Sequence, residues 1–159
     1  MTDWNKFNPA EFDERQKIVK QKGALIALAV FAMLSGINIV LSDIFRWADG
    51  IGVVVLLMGI SMAVYQIYCA VNGGFMAANA KELGSDKINL ILPVVILGLL
   101  IFMIFIDIID DGNIRFVENG ILRTSSMMMI SSALILGSMI IATLIYRSNA
   151  KNDDNDSDE

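Results

Sequence analysis

An all-α, four-helix transmembrane bundle is the fold class this sequence predicts, and three observations predict it. Four apolar runs without a single charged residue, 23–41, 51–71, 88–106 and 125–146, are each 19 to 22 residues long. A helix rises about 1.5 Å per residue and a bilayer core is about 30 Å thick, so roughly 20 apolar residues cross it. The runs are apolar on every side, as at Val53 to Ile60 and Ile91 to Phe105, where a soluble bundle would alternate polar and apolar faces at the helical period. With 55% hydrophobic residues and a mean hydropathy of +0.61, the chain is richer in apolar residues than an ordinary soluble domain.

The first element is a stem, residues 1–22. Asn8-Pro9-Ala10-Glu11 offers a cap, a proline at the first helical position and a carboxylate three residues after the cap, so a helix is expected to start there. Glu11 with Arg15 and Asp13 with Lys17 fall at i,i+4 with the acid first, the favourable order. No breaker separates this segment from Gly23, which predicts a cytoplasmic helical stem running into span one. Trp4, Phe7 and Phe12 would rest against headgroups or a partner. Because 22 mostly polar residues precede the first run, span one is expected to act as its own insertion signal rather than as a cleaved signal peptide.

Phe12-Asp13-Glu14-Arg15-Gln16-Lys17-Ile18-Val19-Lys20 also resembles a juxtamembrane Asp-Glu-Arg-Gln/Glu motif of small, uncharacterised Gram-positive bacterial multi-pass membrane proteins. About ten residues carry the resemblance, and it implies a bacterial plasma membrane. Asp13, Glu14, Arg15 and Gln16 match the motif, which makes the stem the first part to mutate. The family brings no activity to carry over.

Orientation follows from positive charges near the span ends. Nine lie on one side (Lys6, Arg15, Lys17, Lys20, Lys22, Lys81, Lys87, Arg147 and Lys151) and three on the other (Arg46, Arg115 and Arg123). Both termini are therefore expected in the cytoplasm, with 42–50 and 107–124 outside. Phe45 and Trp47 suit the outer interface; Tyr65, Tyr68 and Tyr146 suit the inner one. Between spans two and three, Phe75 to Leu83 could form a short interfacial helix or extend span two. The tail, 147–159, is acidic and expected to be disordered.

Within the spans, close helix packing depends on small residues. Four small-xxx-small pairs occur: Ala32 with Gly36, Gly59 with Ala63, Ala133 with Gly137, and Ser138 with Ala142. They serve packing inside the bundle or a homo-oligomer or partner interface. Span three, with only Gly98, is expected at the lipid-facing edge or against another protein. Asn38 and Gln66 fall near opposite ends of their spans, so they cannot face each other, and each is expected to bond nearby backbone or interfacial water. Pro93 removes a donor inside span three, frees the Asn89 carbonyl and should bend the helix.

Ligand chemistry is sparse. The chain has no histidine and one cysteine, Cys69, expected to be a buried inert thiol. Met127, Met128 and Met129 are soft sulfur donors, but consecutive helical residues point about 100° apart, so they read as apolar filler rather than a copper site. Asp107 to Glu118 resembles an EF-hand calcium loop at Asp107, Asp111, Gly112, Ile114 and Glu118. Ile109 stands where an oxygen ligand is needed, and Asn119-Gly120 follows where a helix should leave. Ile114 to Glu118 and Ile121 to Thr124 around that Asn-Gly read better as a short extracellular β-hairpin.

These observations assign no catalytic, cofactor-binding or metal residue and leave no basis for nucleic-acid binding, since five of the seventeen acids crowd the last seven residues and no basic patch offsets them. The expected function is a non-enzymatic accessory or regulatory subunit of the cell membrane, with the lipid bilayer and another membrane protein or further copies of itself as partners. The alternative is a small oligomeric transporter or channel-like protein using Asn38, Gln66 and the Pro93 bend.

Overall fold

The computed structural model describes residues 12–45, 47–77, 85–111, 117–118 and 120–156. Four helices carry the fold: α1 (Glu14–Ile44), α2 (Gly50–Val71), α3 (Ser85–Asp111) and α4 (Thr124–Asp156). Three of them hold a stretch long and apolar enough to cross a membrane: Glu14–Ile44, Gly50–Val71 and Thr124–Asn149. In α3 the apolar helix identified among the described side chains is Lys87–Phe102.

The helices stand in the order α1–α2–α4–α3. α2 and α4 form the most extensive pair, α1 packs on the other side of α2, α3 packs on α4, and no other helix pair makes an extensive contact among the described residues. The arrangement is a row with a central pair rather than four helices closed around one core. Its consequence is visible in α1: none of its most apolar stretch is buried, against a third of the corresponding stretch of α2. Leu25, Leu28, Met33, Ile39 and Val40 are all exposed, and so are Ile91, Val95, Leu99 and Phe102 on α3.

Local chemistry explains where the helices begin and end. α1 does not start at Asn8: Asp13 is in an extended conformation (φ −68°, ψ 168°) and is the N-cap of a helix whose first residue is Glu14. The Asp13 carboxylate accepts the Gln16 N–H at 2.6 Å, and Gln16 Oε1 accepts the Asp13 N–H at 3.3 Å, a capping box that satisfies two donors reciprocally. The upstream Asn8-Pro9 signal lies outside the described residues together with Trp4, Phe7 and Glu11, while Phe12 and Asp13 are not helical. The stem is therefore not one continuous helix into span one.

α2 closes with a Schellman turn. The Gly74 N–H donates to Cys69 O at 2.7 Å and the Gly73 N–H to Ala70 O at 3.3 Å, while Gly73 adopts φ 75°, where a Cβ would be strained. Phe75, Met76 and Ala77 leave this turn without helical structure, so the expected interfacial helix does not start at Phe75; residues 78–84 lie outside the described residues.

α4 continues past Tyr146 to Asp156, where an acidic tail without structure was expected. No glycine or proline interrupts Arg147 to Asp156, and adding residues to an existing helix avoids the cost of nucleation. Asp107 to Asp111 likewise belong to α3, so the first five positions of the calcium-loop resemblance are wound into a helix. Residues 112–116 and 119 lie outside the described residues. Beyond them, β1 (Val117–Glu118) pairs antiparallel with β2 (Ile121–Leu122), Val117 opposite Leu122 and Glu118 opposite Ile121, and Gly120 has φ 79°.

The segment joining α1 to α2 is tied to β2. The Leu122 N–H donates to Trp47 O at 3.1 Å, and the Asp49 N–H donates to Leu122 O at 3.3 Å. Asp49, the N-cap of α2, makes no side-chain cap; its carboxylate instead accepts the Thr124 hydroxyl at 2.5 Å, at the first residue of α4. Two helix N-termini, each partially positive, thus share one carboxylate. Beneath it lies an apolar cluster, Ala48, Val53, Leu57 and Met127, with Phe31, Leu34 and Trp47 packed against it.

Candidate functional site

The polar groups inside the row are occupied with holding helices together. Gln66 is buried, and its Oε1 accepts the Ser138 hydroxyl of α4 at 2.7 Å. Asn38 Oδ1 accepts the Trp47 indole N–H at 3.1 Å, which fastens the end of α1 to the following loop. Both amides therefore bond side chains rather than the backbone or interfacial water expected from sequence. As anticipated, they lie apart. These partners, a serine seventy-two positions away and a tryptophan nine away, are set by the fold; Asn38 Oδ1 also accepts the Ser42 hydroxyl, one helical turn on, at 3.5 Å.

Because Ser138 also lies 2.9 Å from its own Ile135 carbonyl, it keeps an acceptor when Gln66 is removed. Gln66→Leu is accordingly expected to cost about 0.6 kcal/mol, the average for a hydrogen bond between membrane helices. Unfolding by SDS in mixed micelles would read this as a small shift of midpoint with helicity retained.

Pro93 is almost fully buried against its neighbours, and the orphaned carbonyl it creates finds a second helix. The Thr143 hydroxyl of α4 sits 2.8 Å from Met139 O and 3.4 Å from Asn89 O, the carbonyl four residues before the proline. The proline thus marks where α3 meets α4. Sequence identified the freed carbonyl; only the packing supplies the donor.

Small residues divide into two kinds. At Gly59 a Cβ would overlap Ser131 Oγ and fall 2.9 Å from Ser131 Cβ and 3.0 Å from its Cα, so this glycine permits a close approach of α2 and α4. The closeness lets Ser131 Oγ donate to Val55 O across the pair at 3.0 Å. Ser138 and Ala142 are also buried. In contrast, Ala32 and Ala133 are exposed, and nothing lies within 4 Å of a Cβ built on Gly36 or Gly137. Of the three consecutive methionines, Met127 is fully buried, Met129 half-buried and Met128 exposed, so they diverge as helical geometry requires.

Two concave surfaces are lined by described residues. One is a groove of about 760 Å³ where α1 and α4 both lean on α2, lined chiefly by Ala24, Ala27 and Phe31, by Met58 and Met62, and by Ile135. Its lining is almost wholly apolar, with Ser61 and Ser131 committed to the Leu57 and Val55 carbonyls. At the loop end Phe31, Leu34 and Met127 fill the space between the helices; farther along, small side chains on α1 leave it open.

The other surface lies at the start of α1 and the end of α2. Gly23 brings the helices together there: a Cβ on it would stand 3.1 Å from Cys69 Sγ, 3.1 Å from Tyr68 and 3.2 Å from Tyr65. Gln16 reaches across to the Schellman turn, its Nε2 donating to Gly73 O at 3.4 Å. Beside this junction is a basin of about 460 Å³ walled by Arg15, Ile18 and Lys22 of α1 and by Tyr68 and Asn72 of α2. The four motif residues acquire separate structural roles: Asp13 and Gln16 cap and tether α1, whereas Glu14 and Arg15 face the basin. Lys20 is turned away to the Phe12 ring, its Nζ 3.1 Å from the centroid. Cys69 is buried beneath α1.

No group of three or more histidine, cysteine, aspartate or glutamate side chains suited to a metal occurs among the described residues. No protein-family model matches the chain, and neither a curated protein nor a solved structure matches it.

Proposed function

We propose that this chain is a non-enzymatic subunit of the plasma membrane that docks a transmembrane helix of another membrane protein in the groove between α1, α2 and α4. The observation that supports the reading is the unequal burial of the row. α1 makes extensive contact with one neighbour, its apolar stretch is unburied, and the groove beside it is lined by apolar side chains, with Ala24 and Ala27 of α1 leaving room for a helix to approach. In lipid, helices associate through such close packing rather than through exclusion of water, and a bulky-lined surface would gain less.

In this reading α3 is the fourth crossing, with both termini on the cytoplasmic side and the β1–β2 pair outside. The nine-to-three distribution of lysine and arginine supports that orientation.

The test is tagged full-length protein isolated in mild detergent, with a photo-crosslinking residue placed at Met58 in the groove or at Ile88 on α3. A stoichiometric companion crosslinked from Met58 and not from Ile88 is expected, and Ala27→Phe, which fills the groove, should reduce its recovery by about tenfold (about 1.4 kcal/mol). Equal recovery by a folded Ala27→Phe variant overturns the groove as the dock. A chain that purifies alone as a defined oligomer favours the small oligomeric transporter instead.

A further inference from the structure

We infer that the basin between the start of α1 and the end of α2 is a binding site for the phosphodiester headgroup of an anionic phospholipid. The site is separate from the groove and does not depend on its occupant.

Its chemistry begins with spacing. Arg15, Ile18 and Lys22 fall at i, i+3 and i+7, so a helix places them in one column. Tyr68 and Asn72, four residues apart on the last turn of α2, form the facing wall. The Asn72 amide donates to Tyr68 O at 2.8 Å, which fixes that wall, and Val19 packs against Gly74 underneath. The basin's position is thus set by the capping box, the Schellman turn and the Gly23 contact, not by loops.

Charge gives the ligand its sign. Neither the Arg15 guanidinium nor the Lys22 ammonium has a hydrogen-bond or ion-pair partner among the described residues. Among the described residues Glu14 is the carboxylate that lines the basin beside Arg15 and Lys22, so its described lining carries more positive than negative charge and suits an anion. Guanidinium and ammonium are the side chains that recognise phosphate oxygens, the first through paired donors and the second as a point charge.

Depth identifies the source of the phosphate. The uncharged stretch of α1 begins at Gly23, one residue after Lys22, and α2 ends at Val71, one residue before Asn72. The basin therefore lies at the level of the headgroups, with Ile18 exposed beside the cations to meet the first carbons of the acyl chains. A soluble phosphate compound would gain nothing from that apolar side. The volume of about 460 Å³ is within the range of small-molecule sites, about 300–1,000 Å³.

The experiment is native mass spectrometry of the full chain in mild detergent, titrated with phosphatidylglycerol or with phosphatidylcholine. One phosphatidylglycerol is expected to bind in preference to phosphatidylcholine. Arg15→Gln with Lys22→Gln should weaken it by about 30-fold, given roughly a fivefold effect per cation near a charged lipid surface. Glu14→Gln should tighten it. Lys87→Gln, an exposed cation on α3, serves as the control for diffuse attraction and should leave binding unchanged. Millimolar inorganic phosphate should not compete; competition would assign the basin to a soluble phosphate and overturn the lipid. Equal binding of the two lipids, or equal losses in the Lys87 variant and the double variant, would overturn the site. All four substituted residues are exposed, so unchanged thermal unfolding is expected and separates lost binding from lost structure.

Discussion

Gly59→Leu is expected to drive α2 from α4 and unfold the central pair at markedly lower SDS fractions than the unsubstituted chain. The new side chain would begin inside Ser131, with Ser131 Cβ 2.9 Å and Cα 3.0 Å from the added carbon. Moving Ser131 away also breaks its bond to Val55 O, and no rotamer of leucine avoids an overlap that starts at Cβ. Overpacking of this kind costs about 1–3 kcal/mol, and this site belongs at the upper end because part of what it meets is backbone. Gly59→Ala isolates the Cβ overlap and should cost less. Adding Ser131→Gly to Gly59→Ala removes the two side-chain atoms in conflict and leaves only the Cα, so more than half of the loss should return. A double variant no better than Gly59→Ala would mean that α2 and α4 do not cross here. The same substitution reaches the groove, since Gly59 lies on its floor, and it should lower recovery of a docked partner as well.

The membrane-crossing character was legible because it rests on composition over some twenty residues, and burial cannot change it. α2 was read to within a residue of its observed start, since its uncharged run is bounded by Asp49-Gly50 and Asn72-Gly73. Helix ends that depend on competition were harder. The helix that enters span one begins at the Asp13-Gln16 cap, where Gln16 also reaches the Gly73 carbonyl, a contact fifty-seven residues away. A signal for it did exist: Asp-x-x-Gln is itself a capping pattern.

Partners across the row were not legible at all. Gly59 and Gly36 look alike in sequence, each with a small residue four positions on or before, yet one touches Ser131 and the other touches nothing within 4 Å. A helix apolar on every side carries no mark of which side meets protein. For the same reason sequence could not order the helices as α1–α2–α4–α3, and so could not place the groove. The basin was half legible, because the cations of α1 were plain; Tyr68 and Asn72 read only as interface and turn residues until the Gly23 contact put them opposite.

The junction between α1 and α2 is less extensive than the central α2–α4 pair, and the single cysteine reports on it directly. Gly23→Leu should open that junction and make Cys69 reactive. Cys69 is 1% exposed, and its sulfur would lie 3.1 Å from a Cβ on Gly23, so α1 is the cover over the thiol. Leucine has no room between Cys69, Tyr65 and Tyr68 unless the helices part. An overpacking cost of about 2 kcal/mol, taken up by separation of α1, raises the population of the opened form by about 30-fold. Alkylation by a maleimide in mild detergent should accelerate by a similar factor while exchange with the opened form is fast. No other thiol contributes a background, since the chain has one cysteine. Gly36→Leu is the matched control: it lies on the same helix with open space around it and should leave the rate unchanged. An unchanged rate in both variants would mean that α1 does not cover Cys69. Acceleration in Gly23→Leu together with loss of phosphatidylglycerol binding would tie the basin to the same junction, because Arg15 and Lys22 travel with α1 while Tyr68 and Asn72 stay with α2.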